Sequence, residues 1–110
     1  MTAMTFDEYQ TLALRTAANT ANDRLLLNGV MGLCGEAGEC IDILKKHTFQ
    51  GHELDRDKLV DEMGDCLWYL ATLAQGLDVA LSDVARHNVE KLQKRYPEGF
   101  ETARSVNRTE

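Results

Sequence analysis

A chain of 110 residues with 44% apolar side chains is long enough for one modest core and too apolar for a disordered protein. Its formal net charge of −6 argues against the basic face that general nucleic-acid binding needs. No apolar run nears the ~20 residues that span a bilayer. The opening MTAMTFDEYQ lacks the basic and apolar blocks of a signal peptide, so the expected location is cytoplasmic. An odd cysteine count, Cys34, Cys40 and Cys66, makes a disulfide framework unexpected, and all three read as small buried hydrophobes.

One proline, Pro97, and the lack of alternating apolar and polar residues predict an all-α, four-helix bundle-like domain over residues 1–110. The first helix opens at Thr5, with Glu8 placed for a capping box. It carries Phe6, Tyr9, Leu12 and Ala13 on one stripe and fades near Asn19. Asn22 or Asp23 caps the second helix, which runs to about His47. After the loop TFQGHELD, Asp55 caps the third, which ends near Gly76. Ser82 caps the fourth, which runs to about Arg95 before Pro97 and Gly99 stop it. The tail at 101–110 is polar and expected to be loose.

The second helix contains GLCGEAGECIDILKK, residues 32–46. Three glycines stand inside it, although each costs roughly 1 kcal/mol relative to alanine. Among them Glu36 and Glu39 lie one turn apart. The third helix repeats the motif: EMGDC, with Glu62 and Asp65, echoes EAGEC. At ~100° per residue, Val30, Leu33, Cys34, Ala37, Cys40, Ile41 and Leu44 form the expected core face of the second helix. Leu59, Met63, Cys66, Leu67, Leu70, Leu73 and Ala74 form that of the third. Both acid pairs fall beside these faces, so antiparallel packing brings the pairs together. Four clustered carboxylates raise one another's pKa values unless a cation joins them. Oxygen-only ligands favour Mg²⁺ or Mn²⁺ over zinc. The glycines then leave backbone bare for a neighbouring helix or a phosphate.

Competing readings are plainer. A single E-x-x-E is most often a solvated helix face, but two pairs in near-identical surroundings weaken that reading. A di-iron carboxylate bundle needs Glu-x-x-His, and neither pair has histidine at that offset. His47 and His52 lie at or near a loop without suitably spaced cysteine and read as surface residues rather than zinc ligands. On the fourth helix Asn88, Lys91 and Arg95 share one face, with Leu81, Val89, Leu92 and Tyr96 on the expected core side. Alone they would be a basic C-terminal turn favoured by the helix dipole. Beside acid pairs they read as a phosphate clamp.

Three blocks in order, GLCGEAGECIDILKK, KLVDEMGDCLWYLATLA and NVEKLQKRYPEGF, resemble the MazG-like nucleotide pyrophosphohydrolases of the all-α NTP pyrophosphatase superfamily. The resemblance covers about residues 24–100. It implies Mg²⁺-dependent hydrolysis of a nucleoside triphosphate between the α- and β-phosphates, releasing the monophosphate and pyrophosphate. It also implies that Glu36, Glu39, Glu62 and Asp65 are metal ligands. By the same motif positions Lys58 contacts phosphate, Lys91 and Arg95 hold the phosphate chain, and Asn88 is a further substrate contact. Glu39 is the candidate to orient or deprotonate water. House-cleaning of abnormal nucleotides, dUTP removal and broad dNTP hydrolysis are all compatible roles. A non-catalytic nucleotide- or metal-binding regulatory module, or a structural helical partner protein, would show no turnover.

A small four-helix core, Trp68 and Ala71 away from the expected core face of the third helix, and Phe6 and Tyr9 with few local partners on the first together predict a homo-oligomer, a dimer at the least or a tetramer. Family resemblance points the same way. The opposing expectation is a monomer in which Trp68 folds over its own first helix.

Overall fold

The computed structural model describes residues 2–109, and no strand occurs among them. Five helices follow in order: α1 (Phe6–Leu14), α2 (Asn22–Phe49), α3 (Arg56–Gly76), α4 (Leu81–Arg95) and α5 (Thr102–Val106). The chain is all-α, with one short helix more than expected. Residues 1 and 110 of the predicted domain lie outside the described residues.

α1 opens on the expected capping box. Thr5 Oγ1 accepts from the Glu8 N–H at 3.1 Å, and the Thr5 N–H donates to Glu8 Oε1 at 3.2 Å. The helix ends at Leu14 rather than near Asn19, for a reason seen at the Ala13 carbonyl. Trp68 Nε1 donates to that oxygen at 3.0 Å, and Thr16 Oγ1 at 2.9 Å. The next α-helical bond there would come from the Ala17 N–H, which turns to the Leu14 carbonyl instead, at 3.2 Å. Trp68 also donates to Thr16 Oγ1 at 3.0 Å. It therefore folds over its own first helix and is no unpartnered surface aromatic.

α3 starts where expected, with the Asp55 side chain accepting from the Lys58 N–H at 3.1 Å. Two other caps differ. Neither Asn22 nor Asp23 caps α2, whose N-cap is Ala21. Asn22 lies within the helix and donates to Asp78 Oδ2 at 3.0 Å, tying α2 to the turn after α3. At α4 the N-cap is Ala80, and Ser82 is one of its first-turn residues. Its orphan N–H groups are met from α1: Leu81 N donates to Gln10 Oε1 at 2.7 Å and Ser82 N to Asp7 at 3.1 Å. Ser82 Oγ adds a 2.8 Å bond to Asp7, and the buried Gln10 amide also reaches the Val79 carbonyl at 3.1 Å. Side chains remote in sequence thus set the start of α4.

α2 and α3 form the principal pair and run antiparallel. Gly29 lies against Leu73, Gly32 against Tyr69, and Gly76 against Asn22 and Leu26. The α2 seam is Leu25, Gly29, Gly32, Glu36, Cys40 and Ile43, all buried or half-buried. It replaces most of the expected core face: Val30, Cys34, Ala37, Ile41 and Leu44 are exposed. On α3, Met63 and Leu70 are likewise exposed. α3 has two working faces. One bears Glu62, Cys66, Tyr69 and Leu73 toward α2. The other packs Leu67, Trp68, Ala71 and Ala74 against Tyr9, Ala13 and Leu14 of α1 and Leu81 of α4.

The expected stripes of the outer helices are only partly covered: Phe6, Leu12, Val89 and Leu92 are exposed. The accessible surface of 8306 Å² exceeds the ~6,100 Å² typical of a folded monomer of this size. The radius of gyration, 17.0 Å, exceeds the ~13 Å of a compact chain of this length. Among the described residues no helix is long and apolar enough to cross a membrane.

Candidate metal centre

The acids converge because the α2–α3 register places Glu36 across from the second acid pair. One carboxylate oxygen each from Glu36, Glu62 and Asp65 lies within 4.8 Å of the others. Glu36 and Glu62 are half-buried on the helix seam itself, and Asp65 is exposed at its edge. The expectation put both pairs beside the packed face; the seam passes through Glu36 and Glu62 instead.

Electrostatics mark this cluster. Glu36 is raised from its ordinary value to about 7, first by a hydrogen bond shared with Glu62, then by burial, then by the charges of Glu62, Asp65 and Glu39. The Glu36 carboxyl therefore keeps its proton, shared in the hydrogen bond with Glu62, to higher pH than an isolated glutamate. Tyr9 of α1 is pushed above the usual phenol range by burial and then by the charge of Asp65. Burial, chiefly, also pushes up the Cys66 thiol, with Cys40, Glu36 and Asp65 adding to the effect.

The glycines divide into two sets. A Cβ on Gly32 would overlap the Tyr69 ring, which stands edge-on to Trp68 with centroids 5.0 Å apart. Gly35, Gly38 and Gly64 have open space where a side chain would be. One glycine in the motif is thus explained by packing within the chain, and the others border solvent.

The remaining sequence-predicted residues are spread more widely. Glu39 is exposed and stands outside the three-carboxylate group, although its charge is felt by Glu36 and by Lys46. Lys58 lines a small cavity at the hairpin end with Asp42, Lys46, His52, Glu53 and Asp55. There Lys46 and Asp42 form an i,i+4 ion pair at 2.9 Å. Lys91 and Arg95 line a separate cavity of about 640 Å³ on α4 that contains none of the four acids. Asn88 is exposed on the same helix.

Three mutually close carboxylates on two rigid helices, with no nitrogen or sulfur donor in the set, form a group able to chelate a divalent cation. A family model described as the MazG nucleotide pyrophosphohydrolase domain matches residues 27–100. The "Gene 37 protein" of Mycobacterium phage L5 is 40% identical over 114 residues, covering 96% of this chain and 100% of that protein. No solved structure matches the chain. The chain belongs to the MazG nucleotide pyrophosphohydrolase family.

Proposed function

We propose that this member of the MazG family is a Mg²⁺-dependent nucleoside triphosphate pyrophosphohydrolase, cleaving a (d)NTP to the (d)NMP and pyrophosphate. The observation that carries this reading is the meeting of Glu36, Glu62 and Asp65 within 4.8 Å on two rigid helices. The donor set fits a hard ion, since it offers only carboxylate oxygens, and the elevated Glu36 marks a site short of positive charge. Mn²⁺ is the natural substitute. Such an ion, when bound, supplies charge neutralisation at phosphate oxygens and a lowered pKa of water.

The chain's own residues take the other roles. Glu36, Glu62 and Asp65 hold the ion. Glu39, one turn beyond Glu36 and outside the three-acid group, is assigned as a fourth ligand and as the base that orients or deprotonates water. Lys58 contacts phosphate from the hairpin end, with Asn88 as a further substrate contact on α4. Lys91 and Arg95 stabilise charge on the departing pyrophosphate, the lysine as a point charge and the arginine as a two-pronged donor.

The same reading includes a homodimer or homotetramer. The surface in excess of a typical monomer is about 2,200 Å² per chain, the scale of an obligate interface. Exposed Val30, Met31, Ile41, Val60 and Met63 lie on the two helices that carry the acids. A second copy covering them would stand next to the metal centre.

A panel of nucleoside triphosphates incubated with Mg²⁺ in ¹⁸O-labelled water tests the activity. The expected products are pyrophosphate and a monophosphate bearing the label, from attack at the α-phosphorus. A diphosphate with orthophosphate as primary product, or binding without turnover across the panel, refutes the assignment.

A further inference from the structure

The connection from α1 to α2 is tied to the acid-bearing helices. Trp68 of α3 donates to the Ala13 carbonyl and to Thr16 Oγ1, both at 3.0 Å, and so fixes the chain just before Ala17. Further on, Asn19 Oδ1 accepts from the Ala21 N–H at 3.0 Å, a local side-chain turn that leads into α2. Between this connection and α2 lies a cavity of about 350 Å³, within the ~300–1,000 Å³ of small-molecule sites. Its wall combines apolar Ala17, Ala18 and Leu27 with polar Asn19, Arg24 and Asn28, and it contains no carboxylate. The Asn28 side-chain amide, a donor beside an acceptor, has no partner among the described residues.

Two lines of contact place this cavity relative to the acids. Along α2, Asn28, Gly35 and Glu39 are spaced i, i+7 and i+11. At ~100° per residue they lie within about 20° of one line on the helix surface. The rise from Asn28 to Glu36 is about 12 Å, roughly the reach of a nucleoside from its α-phosphate to the far edge of its base. The path crosses Gly35, where a Cβ would meet nothing within 4 Å. Across the seam, Asp65 is the exposed member of the acid cluster, and Trp68, one turn further along α3, is the residue that anchors the connection. The cavity and the open edge of the cluster therefore share one side of the α2–α3 pair.

Direction follows from charge. Lys58 stands one turn before Glu62, toward the hairpin end, so a phosphate chain held by the acids meets a cation there. The opposite direction along α2 leads to the cavity. Its apolar walls and amides suit a flat, uncharged heterocycle better than another phosphate. We propose that this cavity is the nucleobase site, with Asn28 as its specificity-determining residue: the amide pairs with the polar edge of the base, and Ala17, Ala18 and Leu27 cover its faces. Identifying the occupant as a nucleobase rests on the pyrophosphohydrolase reading above; the alignment of cavity and acids rests on geometry alone.

The test uses the full chain with Mg²⁺ and compares ligands that share phosphates but differ in having a base. Calorimetric titration is run with the α,β-imido analogues of the four common deoxynucleoside triphosphates and of dUTP, and with inorganic tripolyphosphate. Asn28 and Ala18 are exposed, so Asn28→Ala and the cavity-filling Ala18→Phe should fold normally, as thermal melts will verify. Each should weaken the tightest analogue about fivefold or more, the scale of a lost hydrogen bond or contact. Each should change tripolyphosphate binding less than twofold, and Asn28→Ala should narrow the affinity differences among the five bases. Failure of every analogue to bind the wild-type protein overturns the proposal. So do equal losses for analogue and tripolyphosphate, or no loss for either. A binding loss that tracks a change of mass in light scattering also overturns it, by assigning the cavity to a contact between copies. Labelled monophosphate formed with wild-type KM by both variants would remove this inference and leave the activity standing. Base-dependent binding lost in Asn28→Ala, in a protein that turns over no triphosphate, would do the reverse.

Discussion

Gly29 and Gly35 lie on the same helix, six residues apart, and should respond in opposite senses to one methyl group. A Cβ on Gly29 would sit 3.0 Å from Leu73 Cβ and 3.1 Å from its Cα and N. These are backbone and near-backbone atoms of α3, which cannot swing aside, so the two helices must separate by a few tenths of an ångström. Overpacking of this kind costs about 1–3 kcal/mol. Replacing glycine inside a helix returns about 1 kcal/mol. Gly29→Ala should therefore lose about 0–2 kcal/mol net by these two terms. Gly35→Ala meets nothing within 4 Å and should gain up to about 1 kcal/mol. The spread between the variants is about 1–3 kcal/mol, or at least ~4 °C in Tm for a domain of this size. Thermal melts at one fixed protein concentration provide the measurement, because association shifts Tm. Equal Tm values, or Gly29→Ala the more stable of the two, would refute the close helix approach from which the acid register is derived.

Four other outcomes follow from the site and the surface. Glu62→Gln should fold normally yet lose Mg²⁺-dependent thermal stabilisation and turnover; full activity at unchanged metal concentration would remove Glu62 from the ligand set. Lys91→Ala or Arg95→Ala should reduce kcat/KM about tenfold or more, the scale of a lost charge-assisted contact, and wild-type values in both would reduce them to a helix-end charge cluster. Because folding raises Glu36 from its ordinary range to about 7, the folded chain binds more protons than the unfolded chain between those values. Its metal-free stability should fall as pH rises through that window. In EDTA the Tm should drop from pH 5 to pH 8, divalent ion should raise it more at pH 8, and Glu36→Gln should flatten the difference; an ion effect equal at both pH values contradicts the shared proton. Light scattering across a dilution series should give at least a dimer mass, and a fully active monomer at micromolar concentration would rule out an obligate assembly.

What the sequence made legible was local. The Thr5 capping box and the Asp55 cap that opens α3 depend on side chains within three residues of the backbone groups they satisfy, and these expectations hold. The meeting of Glu36 with Glu62 and Asp65 was also accessible, since it needs only two i,i+3 pairs and an antiparallel connection. The starts of α2 and α4 were misread because their neighbours' chemistry is remote. Asp7 and Gln10 cap α4 from more than seventy residues away, and Asn22 is drawn into a bond with Asp78. The C-terminal turn and α5 were missed because their polar residues carry no apolar period. The turn is held by the Gly99 reversal, and the Tyr96–Phe100 contact is visible only once the chain has turned.

The misplaced core face of α2 has a different cause. Val30, Ile41 and Leu44 do form an apolar stripe; the wheel located it correctly and assigned it to the wrong neighbour. α2 has two apolar faces, and periodicity alone cannot tell which one the same chain covers. The choice is made by the glycines. Gly29 and Gly32 have no side chain to hold α3 away, so Leu73 and Tyr69 enter on that side, and the phase of the helix then places Glu36 on the seam. The stripe at Val30, Ile41 and Leu44 faces outward, these residues being 51%, 66% and 46% exposed. Burying such residues is worth about 25 cal/mol per Å² of apolar area. A chain with so few fully buried side chains has strong reason to place that stripe against another surface. The glycine pattern thereby orders both the carboxylate cluster and the surface next to it: close approach within the chain aligns the acids and turns an apolar face outward.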